Sequence, residues 1–262
     1  MRRRSIWVTT LAAAAGAVIA LAAGIAAARE KPTVVRSGNL VLTINGGVTP
    51  KALPKHELAP IAFHAQGDLA TLDGSHPPAF QESIFDIDKD VVIDVKGLPV
   101  CRKGQLGTRN TTDAENACPK AILGTGHGTV EVAFPEQRPF QSSSRLVLFN
   151  GGQRGGVTTF FIHAYVAVPA PTAIVVTVKA IREREGPYGL RIVSSAPSIA
   201  GGSGSVIHFD LRSYRYVHYE GRRQAFIFAR CRDGRFLAKG SLKFRDGSTL
   251  FGGLVRPCTA VG

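Results

Sequence analysis

Four cysteines, seven histidines and a run of aspartates are the residues here with chemistry to offer. Cys101, Cys118, Cys231 and Cys258 form an even set. None of them has the C-x2-C spacing usual in zinc sites, so they read as disulfides. Three connectivities are open. Cys101–Cys118 with Cys231–Cys258 is favoured, because it closes the shortest loops and costs the least chain entropy. His56, His64, His76, His127, His163, His208 and His218 supply no H-E-x-x-H motif, since His56-Glu57 runs on into Leu58-Ala59-Pro60. Gly201-Gly202-Ser203-Gly204-Ser205 lacks the final glycine of a G-x-S-x-G elbow. The histidines read as scattered surface or half-buried groups. A hydrolase can still gather its triad from distant residues, and a secreted hydrolase is the alternative function kept.

Asp86, Asp88 and Asp90 invite a calcium reading. With Asp86 in first place, Val91 and Gly97 stand where an EF-hand loop needs its Gly and Glu. On a strand, carboxylates two residues apart are separated by about 7 Å, too far to share one ion. A solvated acidic face is expected instead. Gly124-Thr125-Gly126-His127-Gly128 has the look of a phosphate loop. Such a loop needs a helix next, but Thr129-Val130-Glu131-Val132 is strand-like, so a turn is expected. Gly151 to Gly156 reads as a hairpin loop. These motifs imply no catalytic residue, no metal site and no cofactor.

Charge carries more spatial content. The chain has a formal net charge of +13. Residues 210–262 hold eleven Lys and Arg against four Asp and Glu, so the C-terminal fifth is the most basic part. Arg212, Tyr214, Tyr216, His218 and Gln224 are expected on a strand face beside Lys239, Lys243 and Arg245. A basic face with aromatic inserts can hold a polyanion by screened attraction and charge-assisted hydrogen bonds. The partner class is then an anionic cell-wall polymer, a polysaccharide or lipid headgroups, with no intracellular nucleic acid. The competing explanation is a solvated basic face that keeps the protein soluble.

Strands must position these groups. Residues 83–96 alternate, with Phe85, Ile87, Val91, Ile93 and Val95 opposite Asp86, Asp88, Asp90 and Asp94. Val157 to Val168 and Thr172 to Arg182 are long and β-branched. Towards the C-terminus, 210–219, 224–231, 235–245 and 248–255 alternate between the turns Glu220-Gly221, Asp233-Gly234 and Asp246-Gly247, which are hairpin signals. One short helix is expected over Thr112 to Ala121, capped by Thr112. The fold class is therefore all-β: an antiparallel β-sandwich, with a jelly-roll-like form or an open barrel as alternatives, ending in a C-terminal β-meander. One domain over 29–262 is expected, with a subdivision near 196–205 as the alternative.

The first 28 residues read as an export signal. Arg2, Arg3 and Arg4 precede an uncharged stretch, Ile6 to Ala28, which ends in Ala26-Ala27-Ala28. Cleavage near Ala28 is expected over retention as an anchor, and Arg3-Arg4-Ser5-Ile6-Trp7 loosely matches a twin-arginine signal. The expected location is secreted or cell-envelope. There, an even cysteine count fits an oxidising compartment.

Residues 79–130 also carry a resemblance. Gly97-Leu98-Pro99-Val100-Cys101, Cys118-Pro119-Lys120-Ala121 and Gly124-x-Gly126 are preceded by Asp86-Ile87-Asp88-Lys89-Asp90. This pattern is similar to a group of uncharacterised exported bacterial β proteins with paired cysteines. The group has no assigned activity. The resemblance implies export and a cysteine-clipped β fold, and no chemistry.

Overall fold

The computed structural model describes residues 31–262, which form one compact unit. The expected export segment lies outside the described residues. The chain is built from strands β1 (Thr33–Ser37), β2 (Leu40–Thr49), β3 (Ala52–Pro54), β4 (Ala59–Pro60), β5 (Ala62–Thr71), β6 (Phe80–Asp88) and β7 (Val91–Ile93). The helix α1 (Thr111–Ala117) follows. Then come β8 (Ile122–Val132), β9 (Phe140–Arg154), β10 (Val157–Val166), β11 (Thr172–Glu185), β12 (Tyr188–Ser195) and β13 (Gly204–Ser213). The last strands are β14 (Val217–Tyr219), β15 (Arg222–Gln224), β16 (Ile227–Ala229), β17 (Arg235–Phe244), β18 (Thr249–Pro257) and β19 (Thr259–Val261).

Twelve strands make one antiparallel sheet in the order β1-β2-β5-β13-β8-β9-β10-β11-β12-β6-β17-β18. A sheet this wide curls under its own twist. Here the two edges come together: a Cβ placed on Gly252 of β18 would fall 2.6 Å from the Val35 side chain of β1. The fold is all-β and antiparallel, as expected. Its single sheet is nearly a barrel, so the open-barrel form is the one the strands take. β13 lies in the middle of the sheet, paired with β5 and β8. The segment 196–205 therefore leads straight into the centre of that sheet.

The roll has two rims. At one, β2 connects to β5, β6 to β8, and β13 to β17. Both disulfides sit there, Cys101–Cys118 and Cys231–Cys258, in the expected pairing. Each contributes roughly 3 kcal/mol through its closed loop. Short segments close this disulfide rim by adding Leu53, Ile61, Val95, Leu98, Phe226 and Ile227 to the core. They pack on inward residues of the sheet such as Leu148, Phe160 and Leu190. At the opposite rim Val130, Val132, Val166, Ile174 and Ile199 form a second apolar group. Outside the sheet, α1 and Cys101–Cys118 cover Val147, Phe149 and Phe161.

Several local expectations change. Asn110, not Thr112, caps α1, its Oδ1 accepting from the Asp113 amide at 2.9 Å. The helix stops at Ala117 because Pro119 has no N–H and restricts Cys118. Gly124, Gly126 and Gly128 are not a turn; they lie inside β8. A Cβ on Gly126 would fall 1.9 Å from the Asp210 carbonyl oxygen, so only glycine lets β13 approach this closely. Gly155 and Gly156 do form the β9–β10 turn. In the C-terminal quarter, β17 and β18 form the expected hairpin through Asp246-Gly247. The stretch 210–219 breaks at Ser213, where the pairing of β13 with β5 and β8 ends. Beyond it the chain turns over the rim and buries Val217, Phe226 and Ala229.

Candidate functional site

The two rims differ in charge. The connections 50–61, 89–101 and 214–234, at the disulfide rim, carry nine Lys and Arg against five Asp and Glu. At the opposite rim, connections 72–79, 133–139, 196–203 and 245–248 carry two against three. The basic character of the chain is therefore concentrated at one end of the roll.

The centre of the basic rim is the β14–β15 hairpin, held in register by Val217 opposite Gln224, His218 opposite Arg223 and Tyr219 opposite Arg222. Glu220 and Gly221 make its turn with φ of 50° and 71°, a left-handed geometry that glycine relieves at one of the two positions. Val217 anchors the hairpin in the core, and Phe226 follows it, 6.3 Å from Phe160 between ring centroids. His218 and Arg223 share the face turned away from Val217, and Arg222 stands beside the turn on the other face; all three are exposed. The Arg223 guanidinium lies 3.8 Å from the Tyr216 ring centroid, and that of Arg215 lies 5.2 Å away. Arg215 Nε also donates to the Pro60 carbonyl at 2.9 Å. Stacking on a π face orients a guanidinium while leaving its edge N–H groups able to meet an anion. The Tyr219 phenol is pushed above its ordinary range, mainly by its hydrogen bond with Glu220.

The expected sheet face is split by the topology. Tyr214, Tyr216 and His218 fall on or beside the hairpin, and Arg212 on β13 pairs with Asp210 at 3.3 Å. Lys239, Lys243 and Arg245 are not beside them. β17 pairs with β6 and β18, and β13 with β5 and β8, so the two groups belong to different parts of the sheet. Lys239 lies 3.5 Å from Asp86 and over the Tyr188 ring at 4.7 Å. Lys243 stands opposite Glu82. Arg245 donates to the Ala196 carbonyl at the opposite rim. β13 and β17, successive strands of this sheet along the chain, are far apart in the sheet order.

The aspartate run is not a solvated acidic face either. Asp86, Asp88 and Asp90 are all buried. Arg191 Nε meets Asp86 at 2.7 Å and holds its carboxyl below the usual carboxylate range, with Lys239 helping. Asp88 accepts from the amides of Asp90 and Leu237; burial pushes its carboxyl up. Asp90 takes Arg230 at 2.7 Å and Arg232 at 3.1 Å. Asp90 thus ties two arginines of the basic rim, while Asp86 on β6 ties its neighbours β12 and β17. No group of three His, Cys, Asp or Glu side chains fit to hold a metal ion occurs among the described residues.

Two histidines are more than scattered surface groups. His163 is fully buried; its Nε2 meets the Arg109 carbonyl at 3.0 Å and its Nδ1 has no partner. Burial pushes that imidazole below its ordinary range. His76 joins Glu131 of β8 through Nδ1 at 3.0 Å and Ser205 of β13 through Nε2 at 3.2 Å. In outline this is a nucleophile, base and acid gathered from distant residues. Access defeats that chemistry here. Ser205 is fully buried and its hydroxyl donates to the Pro77 carbonyl. The nearby amides of Gly202, Ser203 and Gly204 are all spent on local carbonyls, which leaves none of them to stabilise an oxyanion.

The sequence reading missed the polarity of the rims and the His76 relay. Both depend on topology; the local signal available was the charge of each loop, which has meaning only once the loops are known to share a rim. No known protein family, no curated protein and no solved structure matches the chain.

Proposed function

We propose that the protein is an exported, non-enzymatic module that holds an anionic polymer of the cell envelope on its disulfide rim, with the β14–β15 hairpin as the contact element. The carrying observation is the excess of nine Lys and Arg over five acids at that rim, against none at the other. Arg215 and Arg223, oriented by the Tyr216 ring, and the exposed Arg222 supply guanidinium groups suited to phosphate, sulfate or carboxylate groups repeated along a chain. The two disulfides fit an oxidising, extracytoplasmic setting. The arginine-led, apolar, alanine-ended N-terminus supports export.

The test compares two double substitutions on a phosphocellulose column. Arg222→Gln with Arg223→Gln is expected to lower the salt needed for elution clearly. Lys239→Gln with Lys243→Gln is expected to lower it much less, because Lys239 is already engaged by Asp86. Equal losses from the two variants would sink the rim as the binding element.

A further inference from the structure

At the opposite rim, the loop between β5 and β6 forms a strap, His76-Pro77-Pro78-Ala79. It walls a groove of about 530 Å³ lined also by Leu40, Gly202, Asp246 and Thr249. Pro77 and Pro78 have no N–H, so this stretch can be tied down only through its carbonyls. The Ala79 carbonyl accepts from the Arg245 amide at 2.9 Å. The Pro77 carbonyl accepts from the Ser205 hydroxyl. Upstream, Ser75 is fixed by Asp73, which its amide meets at 2.9 Å.

Protons can be counted along this chain. Ser205 has one hydroxyl proton and gives it to Pro77. The 3.2 Å contact between Ser205 Oγ and His76 Nε2 therefore needs its proton from the histidine. At 3.0 Å, the Glu131 carboxylate accepts a hydrogen bond that the Nδ1–H must donate. All three links hold together only when His76 carries both ring protons. With one proton, either Glu131 loses its donor, or the Nε2 lone pair faces the Ser205 oxygen and competes with Pro77 for the hydroxyl.

We propose that His76 is a proton-operated clamp on the Pro77–Pro78 strap, holding this wall of the opposite-rim groove in place when protonated and releasing it when neutral. Charged groups around it come from three elements. Glu131 on β8 is bonded to it directly, and the second Glu131 oxygen accepts from Gln141 of β9. Asp73 on its own loop is taken by Ser75 and Asn39. Asp246 on the β17–β18 turn is taken by Ser248.

The test is amide hydrogen exchange of the folded, oxidised protein at about pH 5 and about pH 8, on either side of the usual imidazole range. Protection factors are read at Ser75 and Arg245, which flank the strap, with Ile61 at the disulfide rim as reference. In the wild type, protection at Ser75 and Arg245 is expected to fall about tenfold from the lower to the higher pH, the loss of about one net hydrogen bond, while Ile61 holds. His76→Gln offers an uncharged N–H donor to Ser205, so its protection is expected to be the same at both pH values. Ser205→Ala is expected to be poorly protected at both. Equal wild-type protection at the two pH values, or a His76→Gln protein that still follows pH, would overturn the clamp.

Discussion

Replacing Asp90 with Asn is expected to weaken the fold and strengthen anion binding at the same time. Asp90 is 4 % exposed and takes both Arg230 and Arg232. Removing one partner of a buried ion pair costs about 3–5 kcal/mol. The two arginine side chains are 30 % and 46 % exposed, so water screens much of that, and Asn can still accept one hydrogen bond. Roughly 1–3 kcal/mol is the reasonable loss. At about 2–4 °C per kcal/mol for a domain of this size, the Tm should drop by roughly 2–12 °C. The same change adds one net positive charge to the rim and frees guanidinium N–H groups for an external anion. Thermal unfolding by circular dichroism reads the first effect, and elution salt from phosphocellulose at 25 °C reads the second. A folded Asp90→Asn protein that elutes at the wild-type salt or earlier would refute the idea that rim charge sets binding.

Other expectations follow from the same geometry. Phe226→Ala removes a fully buried ring under the hairpin and should cost about 3–5 kcal/mol, measured by urea denaturation; a loss under about 1 kcal/mol would show that the hairpin does not rest on this core. Asp88 has its carboxyl raised by burial, so the folded state binds its proton more tightly than the unfolded state. Its contribution to stability is thus present at acid pH and lost as pH rises through the carboxylate range. The stability difference between Asp88→Asn and wild type should shift in favour of the variant between about pH 3 and pH 7; a constant difference would contradict this. For His163, the lowered imidazole means the unfolded state takes the proton first. Wild-type stability should therefore fall as pH drops below about 6.5 in a way that His163→Gln does not share.

Much of the fold was legible because its signals are local. Alternation along 157–166 and 235–244, the Asp246-Gly247 turn and the nearest-neighbour cysteine pairing all depend on residues close in sequence. What could not be read was strand order. β13 inserts between β5 and β8 and β17 between β6 and β18, and no local pattern encodes those choices. That is why the expected basic sheet face does not assemble: Tyr216 and His218 lie at the disulfide rim, away from Lys239, Lys243 and Arg245. The burial of the aspartates is hidden in the sequence for the same reason: Asp86 on β6 is covered by Arg191 from β12, and Asp90, just beyond β6, by Arg230 and Arg232 from the 214–234 connection. Glycines 124 to 128 misled for a related reason. Gly124 and Gly126 admit the close approach of β13, visible only with that neighbour in place.

Binding at the disulfide rim is tested most directly by footprinting the oxidised protein with and without a polyphosphate chain, reading solvent accessibility residue by residue. Protection concentrated at Tyr216, His218, Arg222 and Arg223, fading as salt rises, is the expected result. Protection spread evenly over both rims, or confined to the opposite rim around Gly202 and Asp246, would contradict it.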